Sequence, residues 1–198
     1  MDGTTIERVK RLMPKKALDT DGDAYIATLI TSVSAHAEAF LRRSLGTEER
    51  TVTLDWTCGR RRIVLPAYPV SASPAPVVKS DPWRTFGSDT VVDASCYGID
   101  YDRGVIFFDL WIPIEGFQTV RATWTGGMGA TPEALAVAYP AVSQAIAMQV
   151  AHEYRRRARL DVASLSVGSQ VIGAVGEVKL LTLVEEMLQP HRREGLLT

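Results

Sequence analysis

Histidine, cysteine and lysine are all scarce in this chain of 198 residues, and each scarcity closes off a class of function. The three histidines, His36, His152 and His191, form no HxxxH or HExxH pair, so no zinc site is expected. The two cysteines, Cys58 and Cys96, lie far apart and outside any CxxC pair. They read as reduced thiols rather than a disulfide framework. An excess of one charge is also missing: 22 basic residues face 23 acidic ones, for a net charge of -1. A constitutive duplex-DNA binder usually carries a clear positive excess, because its affinity comes largely from neutralising phosphates. No apolar run approaches the roughly 20 residues of a membrane span. The charged start, MDGTTIERVKRLM, lacks the apolar core of a secretory signal. These readings lead to an expectation of a soluble protein made in a cytoplasm, with no membrane partner.

Recognisable chemistry is missing too. Asp19, Asp21 and Asp23 suggest a calcium loop, but Gly22 precedes Asp23 and Ile30 holds the twelfth position, where a glutamate is needed. They read better as carboxylates at a helix N-terminus. Gly126, Gly127 and Gly129 follow a strand and precede a helix, as phosphate loops do. No Lys-Ser/Thr pair follows, and Pro132 stands where the last glycine of GxGxxG would be. The glycines therefore read as a sharp turn that needs positive φ. No serine lies in a nucleophile elbow. The expectation is no catalytic residue, no metal and no cofactor, and a small hydrolase or nuclease ranks last.

What is present is pattern. Thr4 and Glu7 suggest a capping box ahead of Ile6, Val9 and Met13, with Pro14 ending a short helix. A second helix is predicted from Thr20–Asp23 to about Arg43, on the stripe Ile26, Leu29, Ile30, Val33, Ala37, Phe40 and Leu41, with Gly46 as its stop. From Arg50 to Thr125 the grammar is β. TVTLDW and RIVLP predict a hairpin around Cys58 and Gly59, and TVVD reads as a further strand. A second hairpin turn falls at Asp102, Arg103 and Gly104. The prolines of SASPAPVV rule that segment out as a central strand. Thr131 and Pro132 start a short helix. Pro140 then restarts a long one to about Leu160, spanning about 30 Å. Its stripe Val142, Ile146, Val150 and Tyr154, widened by small residues, predicts burial on more than one side, by its own domain or by a neighbouring subunit. A Gly/Val-rich stretch from Asp161 to Lys179 reads as an extended arm, followed by the short helix LLTLVEEMLQ.

Two arginine clusters stand out. Arg60, Arg61 and Arg62 fall at the predicted hairpin tip, where they add nothing to a core. Arg155, Arg156, Arg157 and Arg159 close the long helix, where they suit either the macrodipole or an acidic or phosphate-bearing partner. A nucleic-acid-binding regulator using these clusters is the alternative to a purely structural protein.

In order along the chain, AYIATLITSVSAHAEAFLRRSL, LPAYPV, YGIDYDRGVI, VRATWTGGMG, YPAVSQAIAMQVAHEYRRR and EEMLQPHRR resemble the head-tail connector (adaptor) family of long-tailed double-stranded DNA phages and gene transfer agents. The resemblance implies an α+β fold: mainly a helical bundle with an inserted antiparallel β subdomain and an extended C-terminal arm. It implies one adaptor domain over 1–198, with N-terminal helices in 1–46, the β insertion in 47–130, the long helix in 131–160, and the arm and short helix in 161–198. It further implies a structural virion protein of the neck, a homo-oligomer in a dodecameric ring between the portal protein and a stopper or tail protein. Such a ring extends the DNA channel and touches packaged DNA only transiently and non-specifically. The arginine clusters would then face the channel or a partner. Val171, Ile172, Val175, Val178, Leu188, His191, Arg192 and Arg193 would dock on the portal, the arm ordering only there. Val142, Ile146, Val150 and Tyr154 would pack subunits together.

Overall fold

The computed structural model describes residues 1–13, 22–57, 59–108, 113–163 and 180–193, without the side chains of 157–163. The chain divides into a helical unit (1–45 with 131–193) and a β unit (46–130). The fold class is α+β. Helices make up the first unit, and the β unit carries two three-stranded antiparallel sheets.

In the helical unit, α1 (Ile6–Arg11) is capped by Thr5, whose hydroxyl accepts the Arg8 amide at 3.3 Å. The cap therefore falls one residue after the predicted Thr4, whose side chain is buried instead. Helix α2 (Asp23–Leu41) buries Ile26, Ile30, Val33, Ala37 and Leu41, while Leu29 and Phe40 stay half-buried at the edges of the stripe. Its stop is Arg42 in the left-handed region (φ 54), not Gly46. Local bonds hold that residue's neighbours: the Leu45 amide donates to Glu38 Oε1 at 2.8 Å, and the Arg193 amide donates to the Leu41 carbonyl at 2.9 Å. By length and composition α2 is also apolar enough to cross a membrane, contrary to the sequence expectation. Its apolar stripe is buried in the core of this unit, with residues such as Val9, Leu135 and Ile146 of other helices.

Helix α3 (Pro132–Ala138) opens as predicted, with the Thr131 hydroxyl accepting the Ala134 amide at 3.2 Å. Pro140 starts α4 (Pro140–Ala163), which runs 24 residues. Packed against it is α5 (Thr182–Leu188). Fully buried aliphatic side chains such as Ile26, Ile146 and Leu188 each contribute about 1.5–3 kcal/mol to this core.

In the β unit, β1 (Glu48–Trp56) and β3 (Val77–Ser80) flank β6 (Gly116–Gly126) in one antiparallel sheet. The second sheet has the order β2 (Arg62–Val64), β5 (Val105–Phe108), β4 (Tyr97–Asp100). The hairpin at Asp102–Gly104 forms, with Gly104 at φ 64 and β4 paired to β5. The hairpin predicted around Gly59 does not. A tight turn is there, with the Arg60 amide bonded to the Thr57 carbonyl at 3.1 Å, but it passes the chain from one sheet to the other. Strand β1 matches its long run to β6 instead, which satisfies far more ladder bonds than three-residue β2 offers. TVVD is likewise no strand: a 3-10 turn covers Ser88–Thr90, and Val91 makes only an isolated bridge to Lys79. SASPAPVV yields an edge strand only at its end, since β3 lies outside β6. Between the sheets, Trp56, Ile63, Leu65, Ile106, Phe108, Val120 and Trp124 form one core, with Trp56 and Phe108 edge to face at 5.2 Å.

Candidate assembly surface

The sharp turn after β6 places no side chain for chemistry. Gly127 sits at φ 146, and a Cβ there would collide with the carbonyl oxygen of Gly46. The glycines let two backbones touch. Among the described residues, no three His, Cys, Asp or Glu side chains converge as a metal site. Asp23 pairs with Lys10 at 2.5 Å, and Asp19 and Asp21 lie outside the described residues. His36 contacts the Ser32 carbonyl one turn earlier in its own helix at 2.9 Å.

The first arginine cluster does not project as one patch. The Arg60 side chain folds back, donating to the carbonyls of Asp55 at 3.0 Å and Arg62 at 3.2 Å, and lies over the Trp56 ring. Arg62 is a half-buried strand residue, and Arg61 is exposed. The second cluster does not close its helix, because α4 continues to Ala163 and has no basic residue in its last turn. The macrodipole reading therefore lapses. Arg155 donates to the Leu12 carbonyl, and Arg156 pairs with Glu153 at 3.8 Å. The side chains of Arg157 and Arg159 are outside the described set.

The subunit-packing stripe is spent within its own unit. Val142, Ile146 and Val150 have no solvent exposure, and Tyr154 is half-buried beside Tyr25, ring centres 6.1 Å apart. Of the docking segment, Val171, Ile172, Val175 and Val178 lie outside the described residues. Leu188 is buried, and the next residues fold onto the chain's own helices. The His191 ring meets Tyr139 edge-on at 5.7 Å, Arg192 lies over Phe40 at 5.1 Å, and Arg43 reaches the His191 carbonyl at 3.4 Å. Burial, assisted by Arg43, lowers the His191 pKa below its ordinary value.

The exposed surface offers features that the sequence patterns do not mark. Trp83 is 83% exposed, Phe117 64% and Val137 84%. Trp83 stands on a loop that folds around the Asp81 carboxylate. The side chain of Asp81, itself buried, accepts the amides of Trp83 (2.8 Å), Thr85 (2.8 Å) and Phe86 (2.7 Å) and the Thr85 hydroxyl (2.7 Å). The Thr85 hydroxyl is the main cause of a carboxyl pKa lowered to about 2, against desolvation and with help from the three amides. The segment 113–119, which leads into β6, is bonded to this loop. There the Ile114 amide donates to Ser80 Oγ at 3.1 Å, the Asp81 amide donates to the Thr119 carbonyl at 2.8 Å, and Ile114 and Phe117 are both exposed. A signal was available in SDPWRTF: an aspartate ahead of a proline is an Asx-turn former, and a tryptophan two places on is large for a turn.

No family model matches the sequence, and neither does any curated protein. Solved structures do match in fold. A chain in the virion of a native gene transfer agent particle aligns over 96% of this chain and 89% of its own, at 19% identity and a TM-score of 0.63. One in the neck of the empty particle, computed with C6 symmetry, aligns over 88% and 81%, at 20% identity and a TM-score of 0.58. Another, in the neck of the native particle computed with C12 symmetry, aligns over 100% and 96%, at 19% identity and a TM-score of 0.54. At these identities the likeness is one of fold, and it spans both the helical and the β unit.

Proposed function

We propose that this chain is a structural virion protein of a phage-like neck, assembled as a ring between the portal and a tail or stopper protein, where it lengthens the DNA channel. The observation that carries this reading is the whole-length fold likeness to chains of gene transfer agent particles, two of them in necks treated with cyclic symmetry. A near-neutral chain whose arginines are partly tied back suits a channel wall that lets DNA slide without gripping it. A dodecamer is the ring order proposed. Among the described side chains of the two clusters, Arg61, Arg155 and Arg156 are exposed and would meet DNA or a partner. In this reading the C-terminal arm, from Val171 to Arg193, docks on the portal.

The test is electron microscopy of the purified protein, alone and mixed with its portal, together with a deletion strain. Rings that seat on the portal, and particles that package DNA yet fail to retain it or join tails, are the expected results. Normal infectious particles from the deletion strain reject the proposal.

A further inference from the structure

Two pairs of adjacent arginines, Arg42 with Arg43 and Arg192 with Arg193, lie far apart in the sequence and meet at the C-terminal end of α2. The Arg193 amide donates to the Leu41 carbonyl at 2.9 Å, which sets the two pairs side by side. Arg43 reaches the His191 carbonyl at 3.4 Å across a separation of 148 positions, and lies over the Tyr139 ring at 5.7 Å. Arg192 lies over the Phe40 ring at 5.1 Å. Aromatic faces at these distances hold a guanidinium in place by cation–π attraction. Arg42 is exposed and Arg192 half-buried, and neither has an ion-pair partner among the described residues. The carboxylate in the last turn of α2, that of Glu38, accepts the Leu45 amide. On α5, Glu185 and Glu186 are exposed. His191 adds no charge of its own at neutral pH, because burial and then Arg43 lower its pKa.

The helix dipole favours cations at this end of α2, which accounts for Arg42 and Arg43. It does not account for two more arginines brought to the same place, since gathered like charges repel. An anion seated among them relieves that repulsion. Arginine's planar fork pairs with a carboxylate through two parallel hydrogen bonds. Guanidiniums already braced on aromatic rings lose little freedom in making them. Duplex DNA, by contrast, is gripped by neutralising many phosphates along its length. One compact cluster on a chain of net charge -1 suits a local group of carboxylates better. Resting on the reading above, in which the C-terminal arm docks on the portal, we infer that Arg42 and Arg192, with Arg43 and Arg193 beside them, receive an acidic segment of the portal protein. The docking surface is then composite: the arm supplies one pair of arginines and α2 the other.

The experiment compares wild type with two double variants of the full chain, each checked for an unchanged thermal melt. One carries Arg42→Gln and Arg192→Gln. The other carries Arg11→Gln and Arg103→Gln, which removes the same charge from two exposed residues elsewhere. Fluorescence anisotropy with labelled decaglutamate and with a short DNA duplex reads the chemistry, and a binding assay with the purified portal reads the partner. Wild type is expected to bind decaglutamate more tightly than the duplex. The Arg42 and Arg192 variant is expected to bind decaglutamate and portal at least tenfold more weakly, and the Arg11 and Arg103 variant to stay within twofold of wild type. Equal weakening by the two pairs, tighter binding of the duplex through Arg42 and Arg192, or undiminished portal binding without them overturns this inference and leaves the ring reading standing. Wild-type protein that never binds its portal overturns both.

Discussion

The side-chain carbonyl of Gln149, buried in the middle of α4, accepts the amide of Leu181 at 2.9 Å. Its own amide nitrogen donates to Glu153 Oε1 one turn along, at 3.0 Å. A polar residue on the apolar side of a long helix is thus the fastening point for the start of α5, 32 positions away. An apolar residue there would keep the helix and lose the fastening.

Gln149→Leu should therefore cost about 1–3 kcal/mol, the desolvation of an amide left without its partner. The loss should be local. Amide exchange at Val184 and Leu188 is expected to speed up before exchange in α2 does. Uniform acceleration across the helical unit would refute it.

Ile146→Ala separates a core role from a subunit-packing role. The side chain is fully buried, so its truncation should destabilise the isolated, unassembled chain by about 2–5 kcal/mol in chemical denaturation. A variant whose monomer is as stable as wild type, and which is impaired only in assembly, would contradict this placement.

Gly127→Ala should be disruptive beyond its size. At φ 146 an alanine is strained by on the order of 1–3 kcal/mol, before its methyl meets the Gly46 carbonyl. Gly98, where an added Cβ meets nothing within 4 Å, is the control. Comparable melting temperatures for the two alanine variants would show that the backbones at 46 and 127 do not touch.

Acid should release the Trp83 loop. The Asp81 carboxyl has a pKa of about 2 when folded, against 3.8 for an unperturbed aspartate. A folded value below the unfolded one stabilises the loop fully above the unfolded pKa, and that stabilisation drains away as pH falls from about 4 toward 2. Exchange at the Thr85 and Phe86 amides, followed by NMR, should rise over that window. In Asp81→Asn it should be fast already at neutral pH and insensitive to acid. Wild-type protection that persists below pH 2 would show that the carboxylate does not hold the loop.

Local punctuation made much of the fold legible. Thr131–Pro132 and Pro140 marked two helix starts, and the 3.6-residue stripes on α2 and α4 named Ile26, Ile30, Val142 and Ile146 as inward-facing. Asp102–Gly104 marked a true hairpin. These features work through neighbours a few residues apart. Strand partnership does not. Alternation in TVTLDW shows that one face is buried but carries no address for the partner, so it does not distinguish the neighbouring RIVLP from distant β6. The candidate surface was harder still. The turn signal in SDPWRTF sets Trp83 on a loop but does not say that its ring is exposed where those of Trp56 and Trp124 are buried, because exposure depends on what the rest of the chain places above a side chain.

Taken alone, the amino-acid order decided the alternation of helix and strand and the near-zero charge, since each follows from residue types and short spacings. Three-dimensional packing decided which strands pair, which arginines are tied to backbone carbonyls, and which tryptophan faces water. Those outcomes belong to contacts between residues far apart in the chain, whose energies are settled only when the whole chain competes for the same interior.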